Sequence, residues 1–153
     1  MKYSDYHSTM TVHERITSAL GIDDSGAPQN LPVLTLAYVG DTVYDLYART
    51  KLLHALDTDV HQLHLAAARL VCAHGQAEAF FRIEPLLTQE ELAVFKRGRN
   101  AHSGTVPKNA NVTQYRIATG LEALLGYLYL TGADERLDEI MANALGGEPE
   151  HAQ

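Results

Sequence analysis

The chain has 153 residues, of which 46% are apolar and 20% charged, so its size and composition are those of one folded domain. Its 12 lysines and arginines against 19 acidic residues give a net charge of -7, which argues against a generally basic surface but allows a local basic patch. The single cysteine, Cys72, excludes an intrachain disulfide and a cysteine metal cluster. There is no apolar run of membrane-spanning length and no signal-peptide pattern, so we expect a cytoplasmic protein without a membrane partner.

The first third of the chain predicts a lead-in followed by a central helix. Residues 1–30 are expected to be partly flexible, with a short helix within 9–20 and then a turn-rich loop. The apolar run 31–53 predicts a buried helix, capped by Asn30 and opened by Pro32. A strand over 31–39 is the alternative, but the length of the run favours a helix.

Further helices are predicted downstream, and no strand pattern with hairpin chemistry occurs, so we expect an all-α domain. The apolar spacing predicts helices over 60–81, 88–97, 111–130 and 134–145, with a loop or helical turn over 101–110. Thr88 and Glu91 have capping-box spacing, Asn111 and Gln114 can cap the 111–130 helix, and Gly132 ends that helix. Cys72 is expected in the core. We place the folded domain at 31–146 and a frayed tail at 147–153.

Two acidic residues interrupt the apolar helices. Asp41 lies in the middle of the 31–53 helix, and Glu122 is surrounded by small residues, namely Ala118, Gly120, Ala123 and Gly126. A buried carboxylate requires a cation, a hydrogen-bond donor or a metal, and small residues allow two helices to approach closely. The pattern suggests a shared Mg²⁺ or Mn²⁺ site. The alternative is that each acid is in a salt bridge or does not lie on the buried face of its helix. Asp45 is interpreted as an ion-pair partner of Arg49 rather than a third ligand.

A window without acidic residues runs from Leu92 to Leu121 and holds five of the chain's 12 lysines and arginines. Spaced cations with polar donors suit a phosphate backbone, and the window leads directly into the helix that carries Glu122. A phosphate-binding segment beside a carboxylate site is the layout of phosphodiester hydrolysis, whereas a solvated basic loop is the alternative. The candidate RNA-binding residues are Lys96, Arg97, Arg99, Asn100, Thr105, Lys108, Asn109 and Arg116.

Three long motifs resemble those of Mini-III ribonucleases, in the same order along the chain. They are LAYVGDTVYDLY at 36–47, the basic segment KRGRNAHSGTVPKN at 96–109, and ATGLEALLGYL at 118–128. The similarity extends over roughly 31–145. Members of this family are ribonuclease III catalytic domains without a separate double-stranded-RNA-binding domain.

The resemblance implies an all-α ribonuclease III endonuclease fold that works as a homodimer. It implies Mg²⁺-dependent cleavage of double-stranded RNA to 5′-phosphate ends, with Mn²⁺ as a substitute, in the maturation of 23S ribosomal RNA precursors. A ribosomal protein bound to the substrate is a further candidate partner. Asp41 and Glu122 match the family's catalytic, metal-binding acids, whereas Ala37 and Thr119 stand where the wider superfamily has two more. A non-catalytic RNA-binding or ribosome-assembly module with this fold is the alternative.

Overall fold

The computed structural model describes residues 9–101 and 106–146, and this part of the chain consists of α-helices joined by short connections. In chain order the helices are α1 (Val12–Leu20), α2 (Val33–Ala55), α3 (Val60–Val71), α4 (Ala73–Ile83), α5 (Gln89–Asn100), α6 (Val112–Leu130) and α7 (Asp134–Ala144), with 3-10 helices at Pro28–Asn30 and Glu84–Leu86. No strand occurs in these residues, which confirms the predicted all-α class. No helix among them is both long and apolar enough to cross a membrane. The predicted tail over 147–153 lies outside the described residues.

Helix α6 is the centre of the fold, because α2, α4 and α5 all pack against it. Leu121, Leu124 and Leu125 of α6 are fully buried, and they share one core cluster with Tyr44 of α2 and Phe95 of α5. Asn111 caps α6 as predicted, since its side chain accepts a hydrogen bond from the backbone N–H of Gln114. The capping box at Thr88 is likewise present at the start of α5.

Helices α2 and α6 cross with their backbones in contact. A Cβ atom on Gly40 would lie 1.6 Å from the carbonyl oxygen of Glu122, and one on Gly126 would lie 1.9 Å from the carbonyl oxygen of Leu36. Only glycine permits this separation, which repays the cost of about 1 kcal/mol for glycine inside a helix. The crossing fixes Asp41, the residue after Gly40, beside the turn of α6 that carries Glu122.

The predicted helix over 60–81 is wrong in one respect: it breaks into α3 and α4 at Cys72. The backbone of Cys72 is extended, and its exposed thiol accepts a hydrogen bond from the N–H of Gly75, so Cys72 caps α4 instead of lying in the core. Gly75 lies against the end of α3, where a Cβ would come 2.2 Å from the carbonyl oxygen of Arg69. Only glycine allows α3 and α4 to approach this closely at the break, and helical periodicity carries no signal of it.

The start and the exposure of α2 also differ from prediction. Asn30 ends a 3-10 turn that Pro28 opens, so α2 begins at Val33 without a side-chain cap. The helix is not buried all round: Tyr38 is 79% exposed, and Leu46 and Leu53 are also exposed. Part of its apolar surface therefore has no cover within the described chain.

A buried ion pair joins α5 to α7. Glu91 is 6% exposed, and its carboxylate accepts hydrogen bonds of 2.8 Å from both Nε and a terminal nitrogen of Arg136. Arg136 also donates to the carbonyl oxygen of Leu86. The Arg136 guanidinium is the largest influence holding the pKa of Glu91 below its usual range.

We expect Arg136→Ala to lower the free energy of unfolding at neutral pH by about 3 kcal/mol, because it leaves a buried carboxylate unpaired. Glu91 has a lowered pKa in the folded state, so the pair stabilises the fold above the unfolded pKa and stops doing so as the pH falls through the folded pKa. Urea unfolding at pH 7 and pH 3 measures this difference. Arg69→Ala, on an exposed face of α3, is the control with little expected effect. A loss that is equal at both pH values would contradict the ion-pair explanation.

Candidate active site

The α2–α6 crossing brings together the two acids that the sequence singles out. The Glu122 carboxyl lies within hydrogen-bonding reach of the Asp41 carboxyl. Each acid comes from a different helix, and the glycine contacts beside them hold the two backbones at a fixed separation. The pair is therefore set by two rigid elements rather than by a loop.

The Glu122 carboxyl has a strongly perturbed acidity. Its pKa is raised to about 8, first because burial penalises the charged form, then because of the negative charge of Asp41 and the hydrogen bond between them. At neutral pH this pair therefore holds a proton that two separate carboxyls in water would have released. A cation placed between the two oxygens would remove the repulsion and displace the proton.

The expectation that both acids are buried is wrong for Asp41. Asp41 is exposed and Glu122 is half-buried, because α2 turns the face that carries Tyr38 and Asp41 toward solvent. Periodicity could not identify that face, since α2 is apolar nearly all round. The consequence is a carboxylate pair that is open to a substrate from solution.

Two oxygen-donor side chains suit a hard divalent cation, which takes waters and substrate phosphate oxygens as its other ligands. Within residues 9–101 and 106–146 no group of three or more His, Cys, Asp or Glu side chains converges on one point. Asp45 is paired with Arg49, whose Nε lies 2.9 Å and 3.0 Å from its two oxygens, as predicted. The residues at 37 and 119 are Ala37 and Thr119, and the Thr119 hydroxyl donates to the carbonyl oxygen of Tyr115. The donor set fits a metal that is held by few protein ligands.

The basic residues of the acid-free window fall into two groups. Lys96, Arg99 and Asn100, near the end of α5, and Arg116, in α6, line one pocket together. Arg97 is exposed beside them on α5, but the structure does not bring it into that pocket. The fold therefore brings some of the candidate RNA-binding residues of the acid-free window, but not all of them, into one pocket.

The second group lies on the connection between α5 and α6. The N–H of Ala110 donates to the carbonyl oxygen of Pro107, and Asn109 has a φ of 73°, which asparagine tolerates better than most residues. Lys108 and Asn109 are both exposed at this turn. Thr105, also a candidate, lies outside the described residues.

A scan against protein families matches residues 34–133 to the family described as "Ribonuclease III domain". The chain is 49% identical to the Mini-ribonuclease 3 of Thermoanaerobacter sp. strain X514 over 73% of this chain and 79% of that protein. It is 45% identical to the Mini-ribonuclease 3 of Symbiobacterium thermophilum over 76% of this chain and 90% of that protein. The chain belongs to the Mini-ribonuclease 3 family. It is thus a ribonuclease, as its three motifs predict.

The fold comparison agrees with the sequence comparison. The crystal structure of protein FN1578 from Fusobacterium nucleatum superposes with a TM-score of 0.70 at 28% identity, covering 78% of this chain and 96% of that one. Together with the family match, this confirms the predicted ribonuclease III fold. The Asp41–Glu122 crossing lies inside the matched residues 34–133.

Sequence reasoning missed two surface features. Tyr38 was assigned to a buried helix, but its side chain projects outward one turn before Asp41. Phe81 ends the helix predicted over 60–81, and its side chain is 59% exposed at the rim of the pocket lined by the basic residues. In both cases the residue belongs to an apolar run, and only the packing of neighbouring helices decides which member of the run faces solvent.

Proposed function

We propose that this ribonuclease cleaves double-stranded RNA by metal-assisted hydrolysis, with Asp41 and Glu122 as the catalytic acids and metal ligands. The observation that carries the proposal is the carboxylate pair at the α2–α6 crossing, in which Asp41 helps to raise the pKa of Glu122. Strongly perturbed acids in an open site are typical of catalytic groups. The 23S ribosomal RNA precursor is the substrate we propose, and residues 31–146 are the catalytic domain.

The chemistry requires a divalent cation at the paired carboxylates. When bound, Mg²⁺ or Mn²⁺ supplies a Lewis acid for the phosphate oxygen and lowers the pKa of a bound water, leaving 5′-phosphate ends after hydrolysis. Glu122 must release its proton before it can bind the cation. Asp41 and Glu122 then present their oxygens from two helices held in contact, so little reorganisation is needed.

The substrate duplex is held through its phosphates rather than its bases. A-form RNA has a major groove too deep and narrow for side chains, so proteins recognise it by shape and by backbone contacts. Exposed Arg97 and Lys108, in the acid-free window, are suited to contact phosphates of the duplex. Because the chain as a whole carries a net charge of -7 despite this basic segment, binding should be weak and sensitive to salt.

We expect Arg97→Ala and Lys108→Ala each to weaken duplex binding and to reduce the slope of log affinity against log salt by about 1, because each change removes one phosphate contact. Fluorescence anisotropy from 50 to 300 mM KCl measures the slope. Arg15→Ala, which removes the same charge from exposed α1, should leave it unchanged. If both variants keep the wild-type slope, Arg97 and Lys108 do not contact the phosphates of the RNA.

A homodimer is the proposed assembly. The exposed apolar side chains of α2, including Tyr38 at 79% exposure, Leu46 and Leu53, form a face that a second copy of the chain would cover. Tyr38 lies one turn from Asp41, so a two-fold contact there places two carboxylate pairs near one interface. Two sites related by a two-fold axis can address both strands of a duplex.

We expect Tyr38→Glu to convert the dimer to a monomer, since it places a charge at the centre of an apolar contact. Sedimentation at micromolar concentration should give twice the chain mass of 16.8 kDa for the wild type and the single-chain mass for the variant. Leu65→Glu, on an exposed apolar position of α3, is the matched control and should remain dimeric. A wild-type mass of one chain, or a dimeric Tyr38→Glu protein, would contradict this interface.

The function itself is tested with a long RNA duplex and with each of its two strands alone. We expect the wild type to cut the duplex in Mg²⁺, to leave the single strands intact, and to lose activity when EDTA is present. Binding of the duplex without cleavage would favour the alternative, an RNA-binding module. Preferential cleavage of the single strands would overturn the proposed substrate.

A further inference from the structure

A pocket of about 440 Å³ lies between α4, α5 and the first turns of α6, away from the carboxylate pair. Pockets of this size enclose one small ligand. Thr113 of its lining is nine residues before Glu122, which is half a rotation around α6 and about 14 Å along its axis. The pocket therefore opens on the opposite face of α6 from the catalytic acids, and both can be occupied at the same time.

The floor of the pocket is aromatic and rigid. The rings of Phe80 and Phe95 are stacked, with centroids 3.8 Å apart and an interplanar angle of 9°, and both side chains are 2% exposed. Phe81 continues this cluster at 5.9 Å from Phe80 but is 59% exposed. A largely exposed ring held against a fixed aromatic pair offers a face on which a planar ligand can stack.

The wall of the pocket is cationic. Lys96, Arg99 and Arg116 line it against the single acid Glu84. The Arg99 guanidinium carbon lies 5.7 Å from the centroid of the Phe95 ring, and its Nε donates to the side-chain oxygen of Asn100 at 3.3 Å. An occupant with one planar aromatic part and one anionic part matches both the floor and this wall.

We infer that the pocket binds an unpaired nucleotide of an RNA strand, with its base on Phe81 and its phosphate beside Lys96, Arg99 and Arg116. In an intact A-form duplex each base is stacked between its neighbours, so its face is not available, whereas a bulged nucleotide can be splayed out and stacked on an aromatic side chain. The Glu84 carboxylate can accept a hydrogen bond from the amino group of such a base. This inference rests on the proposed function for its RNA substrate.

The test compares two RNA duplexes that differ only by one unpaired adenosine, using the full chain in metal-free buffer and fluorescence anisotropy. We expect the wild type to bind the bulged duplex about tenfold more tightly, which is the range for stacking one base on an aromatic ring. Phe81→Leu keeps the apolar bulk but removes the ring, so its preference should fall below about twofold while its affinity for the perfect duplex is unchanged. Phe81→Tyr should keep the preference.

Equal wild-type affinity for the two duplexes, or an undiminished preference in Phe81→Leu, would overturn the inference. The inference would also be overturned if adenosine 5′-monophosphate bound in a way that depends on Phe81 while the bulged duplex bound no more tightly than the perfect one. That result would assign the pocket to free nucleotides. Cleavage of the perfect duplex in Mg²⁺ is scored separately. Normal cleavage without bulge preference rejects this pocket and leaves the proposed function standing, whereas bulge preference without any cleavage rejects the proposed function alone.

Discussion

We expect Glu122→Gln to reduce the cleavage rate of duplex RNA by about 10³-fold, equivalent to about 4 kcal/mol of transition-state stabilisation. The amide has nearly the same shape as the carboxyl, but it carries no charge and is a poor ligand for a hard cation. Duplex binding should change little, because the phosphate contacts lie on other residues. Single-turnover cleavage in Mg²⁺ measures the rate, and Glu135→Gln on exposed α7 is the control with wild-type activity. A Glu122→Gln protein that cuts at the wild-type rate would show that the assigned site is wrong.

The same substitution should stabilise the metal-free protein at alkaline pH. Because the pKa of Glu122 is raised to about 8 in the folded state, the wild-type free energy of unfolding falls as pH rises from about 4.5 toward 8. Glutamine does not ionise, so its melting temperature should exceed the wild-type value by about 10 °C at pH 8 and by much less at pH 5. Scanning calorimetry in EDTA measures both. A Glu122→Gln protein that is less stable than the wild type at pH 8 would contradict a raised Glu122 pKa in the folded state.

We expect Gly40→Ala to lower the free energy of unfolding by at least about 3 kcal/mol, although alanine is normally the better helix former by about 1 kcal/mol. The reason is that the new Cβ would lie 1.6 Å from the Glu122 carbonyl oxygen and 2.8 Å from the Gly126 backbone nitrogen. Neither backbone atom can move without separating α2 from α6. A displacement of Asp41 by about 1 Å should also reduce cleavage about 10²-fold in whatever protein remains folded.

The control for this prediction is Gly26→Ala, because a Cβ there meets no atom within 4 Å. Its stability should equal or slightly exceed that of the wild type. Urea unfolding of the three proteins in parallel measures the effect. A Gly40→Ala protein as stable as Gly26→Ala would mean that the two helices do not touch at this crossing.

The sequence was sufficient for the elements whose signals are local. The side chains of Thr88 and Asn111 cap α5 and α6 where their spacing predicts, because caps depend on a few neighbouring residues. The small residues around Glu122 correctly indicated a close helix contact, since glycine inside a helix is costly unless another backbone approaches. The sequence therefore predicts that the two candidate acids lie side by side.

Features that depend on which helix covers which face could not be predicted. The exposure of Asp41 and Tyr38 depends on which face of α2 packs against α6, and an apolar run on α2 carries no mark of that face. The break at Cys72 depends on Gly75 packing against α3. The pocket behind α6 forms where three consecutive helices pack together, so neither its aromatic floor nor the exposed ring of Phe81 has a local signal.

The central claim is that Asp41 and Glu122 act as one catalytic unit, and a double-mutant cycle on duplex cleavage tests it most directly. Single-turnover rates are measured in Mg²⁺ for the wild type, Asp41→Asn, Glu122→Gln and the double variant. If the two acids hold one cation together, each single change abolishes most of the activity and the double variant is within about tenfold of either, because groups that act as a unit are non-additive. The shared site would be contradicted if the rate loss of the double variant equalled the product of the two single losses, or if either single variant kept the wild-type rate.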